Sequence, residues 1–270
     1  DFGASYVRFS YALPFAWVWL IGYIIFSKTQ LPSFTSEFIF WVTIAGVLQI
    51  IFTVLLIKLF SHRTFAAGTA FSKTEVIQVA FFEALIIGSI VSFQTGAAIV
   101  IGFVAIILLS IVKGQVSFTN LTSSLFSRQA SLGLASGAFL ALCSVCFRAA
   151  TDSLIGNDLI AKAATTLSVS LLIQTLLMGI WMQLNVKSEF HSTFKEWRGS
   201  TAVGFFGAVT SFCWFYAFSA SAVAPVRAIG QIELVLALLI SIFFFKERPS
   251  WKELLAIFLL LLSIVLVLLD

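Results

Sequence analysis

The sequence predicts an all-α integral membrane protein made of two inverted repeats of five helices, with the first of the ten absent from this chain and nine present. Three observations predict it. The chain is 60% hydrophobic and 10% charged, with a mean hydropathy of +1.06; a soluble domain is about half apolar and about a quarter charged. Its apolar stretches run near 20 residues, enough to cross a hydrocarbon core as a helix, whereas barrel strands are shorter and alternate apolar with polar. At one offset of 158 residues, without gaps, the two halves overlie each other: Ala66 on Ala224, Ala70 on Ala228, Glu75 on Glu233, Ser92 on Ser250 and Phe93 on Trp251.

The helices follow from the apolar runs and the turn residues between them. The first, 4–26, stops at Lys28 to Pro32; the second, 38–60, at Ser61-His62-Arg63; the third, 65–87, at Gly88. The fourth, 93–112, precedes the Ser/Thr-rich stretch 114–128, the natural boundary between a first repeat over 1–115 and a second over 129–270. The second repeat holds 132–150, 161–183, 201–219, 223–245 and 251–269, separated by 152–158, 187–198, a short break before Val223, and Lys246-Glu247-Arg248-Pro249. Subtracting 158 from 132–150 lands before residue 1, so the first repeat lacks its opening helix. Asp1 in place of Met agrees with a trimmed ten-helix parent. An odd number of helices per repeat inserts the two copies upside down relative to each other, the arrangement of many secondary transporters, whose sites lie between the repeats.

The net charge of +4 and pI near 9.1 come from basic residues at helix ends, where lipid headgroups are sufficient partners. The expected partners are the lipid bilayer and a small-molecule substrate, with protons as a coupling ion and no nucleic acid. Lys58, Arg63, Lys113, Arg128, Lys187, Lys195, Arg198, Lys246, Arg248 and Lys252 border one side, against Lys28, Lys162 and few others. By the positive-inside rule that side is cytoplasmic and the C-terminus lies outside. Cys143-x-x-Cys146 lies in an apolar segment without the histidines or further thiolates of a metal site, and reads as packing. No nucleotide-binding loop, zinc-protease motif or cofactor motif is present, and His62 and His191 both lie in loops. A non-enzymatic protein driven by protons or exchange is what remains.

Glu75 and Glu233 each fall about ten residues, roughly 15 Å, into their helices and so near the bilayer midplane. An intramembrane carboxylate is expensive and by default functional. The alternative is a structural ion pair, with Lys73 beside Glu75 and Arg227 one to two turns before Glu233 as partners; Gln231 completes this group. Glu233, farther in sequence from a base, is the expected titrating or cation-binding member, and Glu75 is expected to be partly neutralised by Lys73. Glu83, eight residues past Glu75 on about the same face, approaches the membrane surface. Arg8 can reach a substrate carboxylate or snorkel to a helix end. Trp214 and Tyr216, two apart on one helix, cannot both face a single cavity. Arg148 and Asp152 form a cap-like pair, and Gly133-x-x-x-Gly137-x-x-x-Ala141 is a close-packing stripe, with the absent first helix a candidate partner.

The segment from Ala224 to Ser250, with Pro225, Arg227, Gly230, Gln231 and Glu233, ends in the turn Phe245-Lys246-Glu247-Arg248 and is followed by an unbroken apolar helix to Leu269. It resembles the end of an EamA-type transporter of the drug/metabolite transporter superfamily. The resemblance covers about 200–269 as motif and the whole length as architecture; in the first repeat the equivalent turn is Gly88-Ser89-Ile90-Val91-Ser92. It implies a ten-helix fold, transport of small metabolites such as amino acids, frequently outward, and both ends of the ten-helix protein inside the cell, the reverse of the charge count. A lipid-carrier flippase of the same superfamily is the alternative, and a non-transporting membrane subunit or scaffold the alternative of another class.

Overall fold

The computed structural model describes residues 2–60, 72–112, 128–195, 197–246 and 249–270. Among them are twelve α-helices: α1 Phe2–Ser10, α2 Leu13–Ser27, α3 Ser36–Phe60, α4 Glu75–Ile86, α5 Phe93–Val112, α6 Arg128–Asp152, α7 Leu159–Asn185, α8 Lys187–Ser192, α9 Trp197–Ala220, α10 Val223–Gly230, α11 Ile232–Phe243 and α12 Trp251–Leu268. The β-structure among the described residues is one isolated antiparallel bridge, Ser33 with Ile155. Eight spans are long and apolar enough to cross a membrane, two of them made of consecutive helices, Phe2–Ser27 and Val223–Phe243. The chain is therefore an all-α, multi-pass integral membrane protein. Of the predicted helix 65–87, the first part and the Ser61-His62-Arg63 turn lie outside the described residues, as do the 114–127 linker and Glu247-Arg248.

Two predicted spans are broken rather than continuous. Pro14 near the start of α2 has no N–H to give the carbonyl of Ser10, which ends α1. Gly230, a poor helix former, ends α10, and Gln231 is a turn before α11. The predicted loop 187–198 also folds, its first residues forming α8.

The chain divides into two compact units, residues 1–58 with 142–221 and residues 59–141 with 222–270. In the first, α7 packs against α1, α2 and α9. Close approach of α9 to the turn between α1 and α2 is made possible by Gly204, where a Cβ would sit 2.4 Å from the backbone carbon of Tyr11. A polar contact crosses from α7 to α3: Gln174 Nε2 donates to Gln49 Oε1 at 2.6 Å. Asp158 caps α7, accepting from the backbone N–H groups of Ile160 and Ala161, and also from the hydroxyls of Tyr23 and Thr29. Burial pushes its carboxyl up, but the hydrogen bonds from Ala161, Tyr23, Ile160 and Thr29 outweigh that and hold it below the usual carboxylate range.

In the second unit α5 and α12 lie against each other, with Ala105, Ile106, Leu109, Leu260 and Ile264 in a buried cluster that also takes in Val235 and Leu238 of α11. Gly102 faces Ser263, whose hydroxyl donates to the carbonyl of Ala98 at 2.7 Å. A reciprocal capping box of Ser250 and Glu253 starts α12. Gly137 of α6 lies against the turn before α4, a Cβ there falling 2.7 Å from the carbonyl oxygen of Ser72. At Gly137 the neighbours of that small-residue stripe are Ser72 and Glu75.

Candidate functional site

The two acids stand where their helices are irregular, and the irregularities are equivalent. The turn at Lys73 and Thr74 precedes α4, the turn at Gln231 precedes α11, and the 158-residue offset carries Lys73 onto Gln231. Around each turn the hydrogen-bond ladder tightens to i→i+3: Val76 and Ile77 donate to Lys73 and Thr74, and Gln231 and Leu234 donate to Ala228 and Gln231. A short 3₁₀ stretch inside a helix often marks a hinge, and a helix start attracts negative charge. Glu75 is the first residue of α4 and Glu233 the second of α11.

The ion pairs are crossed. Lys73 Nζ is paired with Glu233, and Arg227 NH1 lies 3.8 Å from Glu75 Oε1. The sequence paired each acid with the base on its own helix; packing of α4 against α10 exchanges the partners. Burial is unequal as well: the Glu75 side chain is 5% exposed and Arg227 11%, against 25% for Lys73 and 58% for Glu233. Glu75, not Glu233, is the sequestered acid. Its Oε2 has no hydrogen-bond partner among the described residues, nor does the buried Gln231 Oε1. Gln231 Nε2 donates to the carbonyl of Arg227 at 3.4 Å. An ionised group held in a low-dielectric setting with an unsatisfied oxygen is costly, and Glu75 Oε2 retains the capacity to accept from a further donor.

Two side chains near it were not singled out as site residues. Gln78 lies three residues past Glu75, a spacing that shares a helix face; its Nε2 donates to Thr74 Oγ1 at 2.7 Å, and its Oε1 is without a partner among the described residues. That spacing was legible. Glu83 is fully buried, and its two oxygens accept from the backbone N–H groups of Val223 at 2.7 Å and Ala224 at 2.9 Å. It caps α10 from another helix, a role with no local sequence signal.

Of the eight candidate residues, Lys73, Glu75, Arg227, Gln231 and Glu233 gather in the second unit, while Arg8, Trp214 and Tyr216 belong to the first. Arg8 borders a small cavity with Gln49, Ser170 and Ser211. Trp214 is half-buried against Phe218 with ring centroids 5.7 Å apart. Tyr216 is exposed and stacked on Phe212 at 6.4 Å. Arg148 and Asp152 form the expected i,i+4 pair at 3.4 Å.

The model of the EamA-like transporter family matches residues 130–269 of the chain. Chains of solved structures share its fold; one is 13% identical with a TM-score of 0.72, the match covering 100% of this chain and 89% of that one. The comparison with curated proteins returns no match.

Proposed function

Because the chain belongs to the EamA-like transporter family, we propose that it is a secondary active transporter of small metabolites, amino acids or related compounds, working outward by alternating access in a prokaryotic inner membrane. The two repeats, 1–115 and 129–270, supply the moving halves, and the driving force is a proton gradient or exchange. The observation that carries this reading is the crossed pair of intramembrane ion pairs at equivalent helix breaks, with Glu75 buried and one of its oxygens unsatisfied. Discontinuous helices with ionisable groups are how transporters build substrate and ion sites within the bilayer.

Glu75 is the coupling group in this reading, Arg227 its counter-charge, and Gln78 and Gln231 the neighbouring polar contacts. A proton or a substrate ammonium arriving at Oε2 loosens the Arg227 pair and changes the energy of the break before α4. The test is counterflow in proteoliposomes across the common amino acids, with and without a pH gradient. Wild-type protein should accumulate at least one of them without ATP, and Glu75→Gln should abolish the effect of the gradient. Uptake that is absent throughout, or a gradient effect unchanged in Glu75→Gln, counts against the proposal.

A lipid-carrier flippase is the second reading. It is favoured by an apolar groove of about 680 Å³ in the first unit, lined by residues including Val18, Gly22, Phe26, Ala164 and Phe212. Scrambling of a labelled lipid without amino-acid counterflow would select it.

A further inference from the structure

The cavity beside Arg8 lies in the first unit, away in sequence from the acids. Arg8 is three residues before the break between α1 and α2, in a span of otherwise apolar character. Gly207 of α9 comes within 4.0 Å of its carbonyl oxygen through an added Cβ, and Gly204 lets Tyr11 approach still more closely, so α1 is pressed onto α9 at this level. The cavity between them is about 10 Å³ and is lined by Arg8, Gln49, Ser170 and Ser211 with Phe9, Leu167, Leu171 and Phe215. That is room for one water-sized oxygen.

Its polar groups are all able to donate. Arg8 is permanently charged and offers only N–H donors. Gln49 is oriented by its neighbour: Gln174 Nε2 donates to Gln49 Oε1 at 2.6 Å and also reaches the carbonyl of Gly46 at 3.5 Å. A carbonyl accepts only, so Gln174 must present its amide nitrogen on this side, the oxygen of Gln49 is engaged, and the Gln49 amide nitrogen is what remains to offer. Ser170 is 1% exposed and its hydroxyl has no partner among the described residues. Serine and threonine hydroxyls within helices of this chain commonly bond back to the carbonyl four residues earlier, as Thr53, Ser110 and Thr166 do. Ser170 lacks that bond, as do Thr165, Ser168 and Thr175 of the same helix, and of the four it is the one that borders the cavity. Among the described residues that line the cavity there is no carboxylate.

We propose that Arg8, Gln49, Ser170 and Ser211 form an anion subsite that takes a carboxylate oxygen of the transported solute. A guanidinium flanked by an amide N–H and two hydroxyls in an apolar wall matches a carboxylate, whose oxygens only accept, and penalises an uncharged amide of the same shape, whose nitrogen meets further donors. The subsite narrows the solute to acids and zwitterions. It rests on reading the chain as a carrier of small solutes, but its test reads binding and needs no transport.

The detergent-purified protein is titrated with each of the twenty common amino acids beside its carboxamide, with thermal unfolding as the readout. At least one amino acid should stabilise the wild type while its carboxamide does not. Arg8→Gln should weaken that binding by about tenfold or more, Arg8→Lys should retain part of it, and Ser170→Ala should weaken it by about threefold, the loss of one modest hydrogen bond. If acids and amides stabilise alike, if no acid binds, or if the preference survives Arg8→Gln unchanged, the cavity is a water site only and the proposal falls. Should Arg8→Gln fail to fold, an unaltered preference in both Arg8→Lys and Ser170→Ala overturns it equally. Acid preference that persists while Glu75→Gln leaves gradient coupling intact would sink the coupling scheme and spare the subsite.

Discussion

Glu75 and Glu83 lie eight residues apart on one helix, both buried, and their partners assign them opposite work. Glu83 satisfies two backbone N–H groups at the start of α10, so Glu83→Gln should lower stability by about 1–3 kcal/mol, because an amide nitrogen is offered to donors. Glu75→Gln also lowers stability, because it leaves the largely buried Arg227 without its counter-charge, but it alone of the two should erase gradient coupling. Thermal unfolding and counterflow on the same two preparations check both; a reversed ranking in counterflow would exchange their roles. Asp158 titrates at a helix start. Its folded carboxyl lies below the ordinary value, so the stability it contributes is full above about pH 3.9 and is lost as pH falls through the lower folded value. Asp158→Ala should cost about 1 kcal/mol at pH 7, with the gap to wild type closing on acidification; an equal gap at all pH values would contradict this. The residues of the second-unit cluster were legible in the sequence, their pairing was not. Lys73 and Glu75 are i,i+2 and do not face each other on a helix, a rule that argued against the adjacent pairing, whereas the actual partners were brought together by packing between helices remote in sequence.

At the scale of elements, the apolar runs located the helices but only part of their interruptions. Pro14 marks the break between α1 and α2 in plain chemistry. Gln231 has only Gly230 beside it, and Lys73 and Thr74 are ordinary helix residues, so those turns come from their packing environment. Gly137 shows what that environment demands: the carbonyl of Ser72 occupies the space of any Cβ. Gly137→Ala should therefore cost about 1–3 kcal/mol, and Gly204→Ala a similar amount against the backbone of Tyr11. Gly22→Ala, with nothing within 4 Å, is the control and should be neutral. Thermal unfolding of the three variants decides, and a Gly137→Ala protein as stable as the Gly22→Ala control would remove the close approach.

For the whole molecule, composition and the length of the apolar runs carried the fold class, since a chain this apolar has only closed hydrogen-bonding solutions in lipid. The compact units were not legible. Each draws helices from both halves of the chain, and segments related by the offset fall in one unit: it carries α1 and α2 onto α7 and α3 onto α9 in the first, α4 onto α11 and α5 onto α12 in the second. The offset relates segments along the sequence, but contacts between helices depend on faces that it does not encode.

The crossed pairs also have an electrical consequence. Lys73 and Arg227 against Glu75 and Glu233 sum to no net charge. A proton on Glu75 leaves the cluster one positive charge richer, and a charge moved across the membrane field responds by about 2.3 kcal/mol per 100 mV. In proteoliposomes with equal pH on both sides, a potassium diffusion potential should then change the rate of wild-type transport, and reversing its sign should reverse the change. Rates indifferent to voltage would mean that the loaded cluster crosses neutral, its added proton matched by an anion travelling with it.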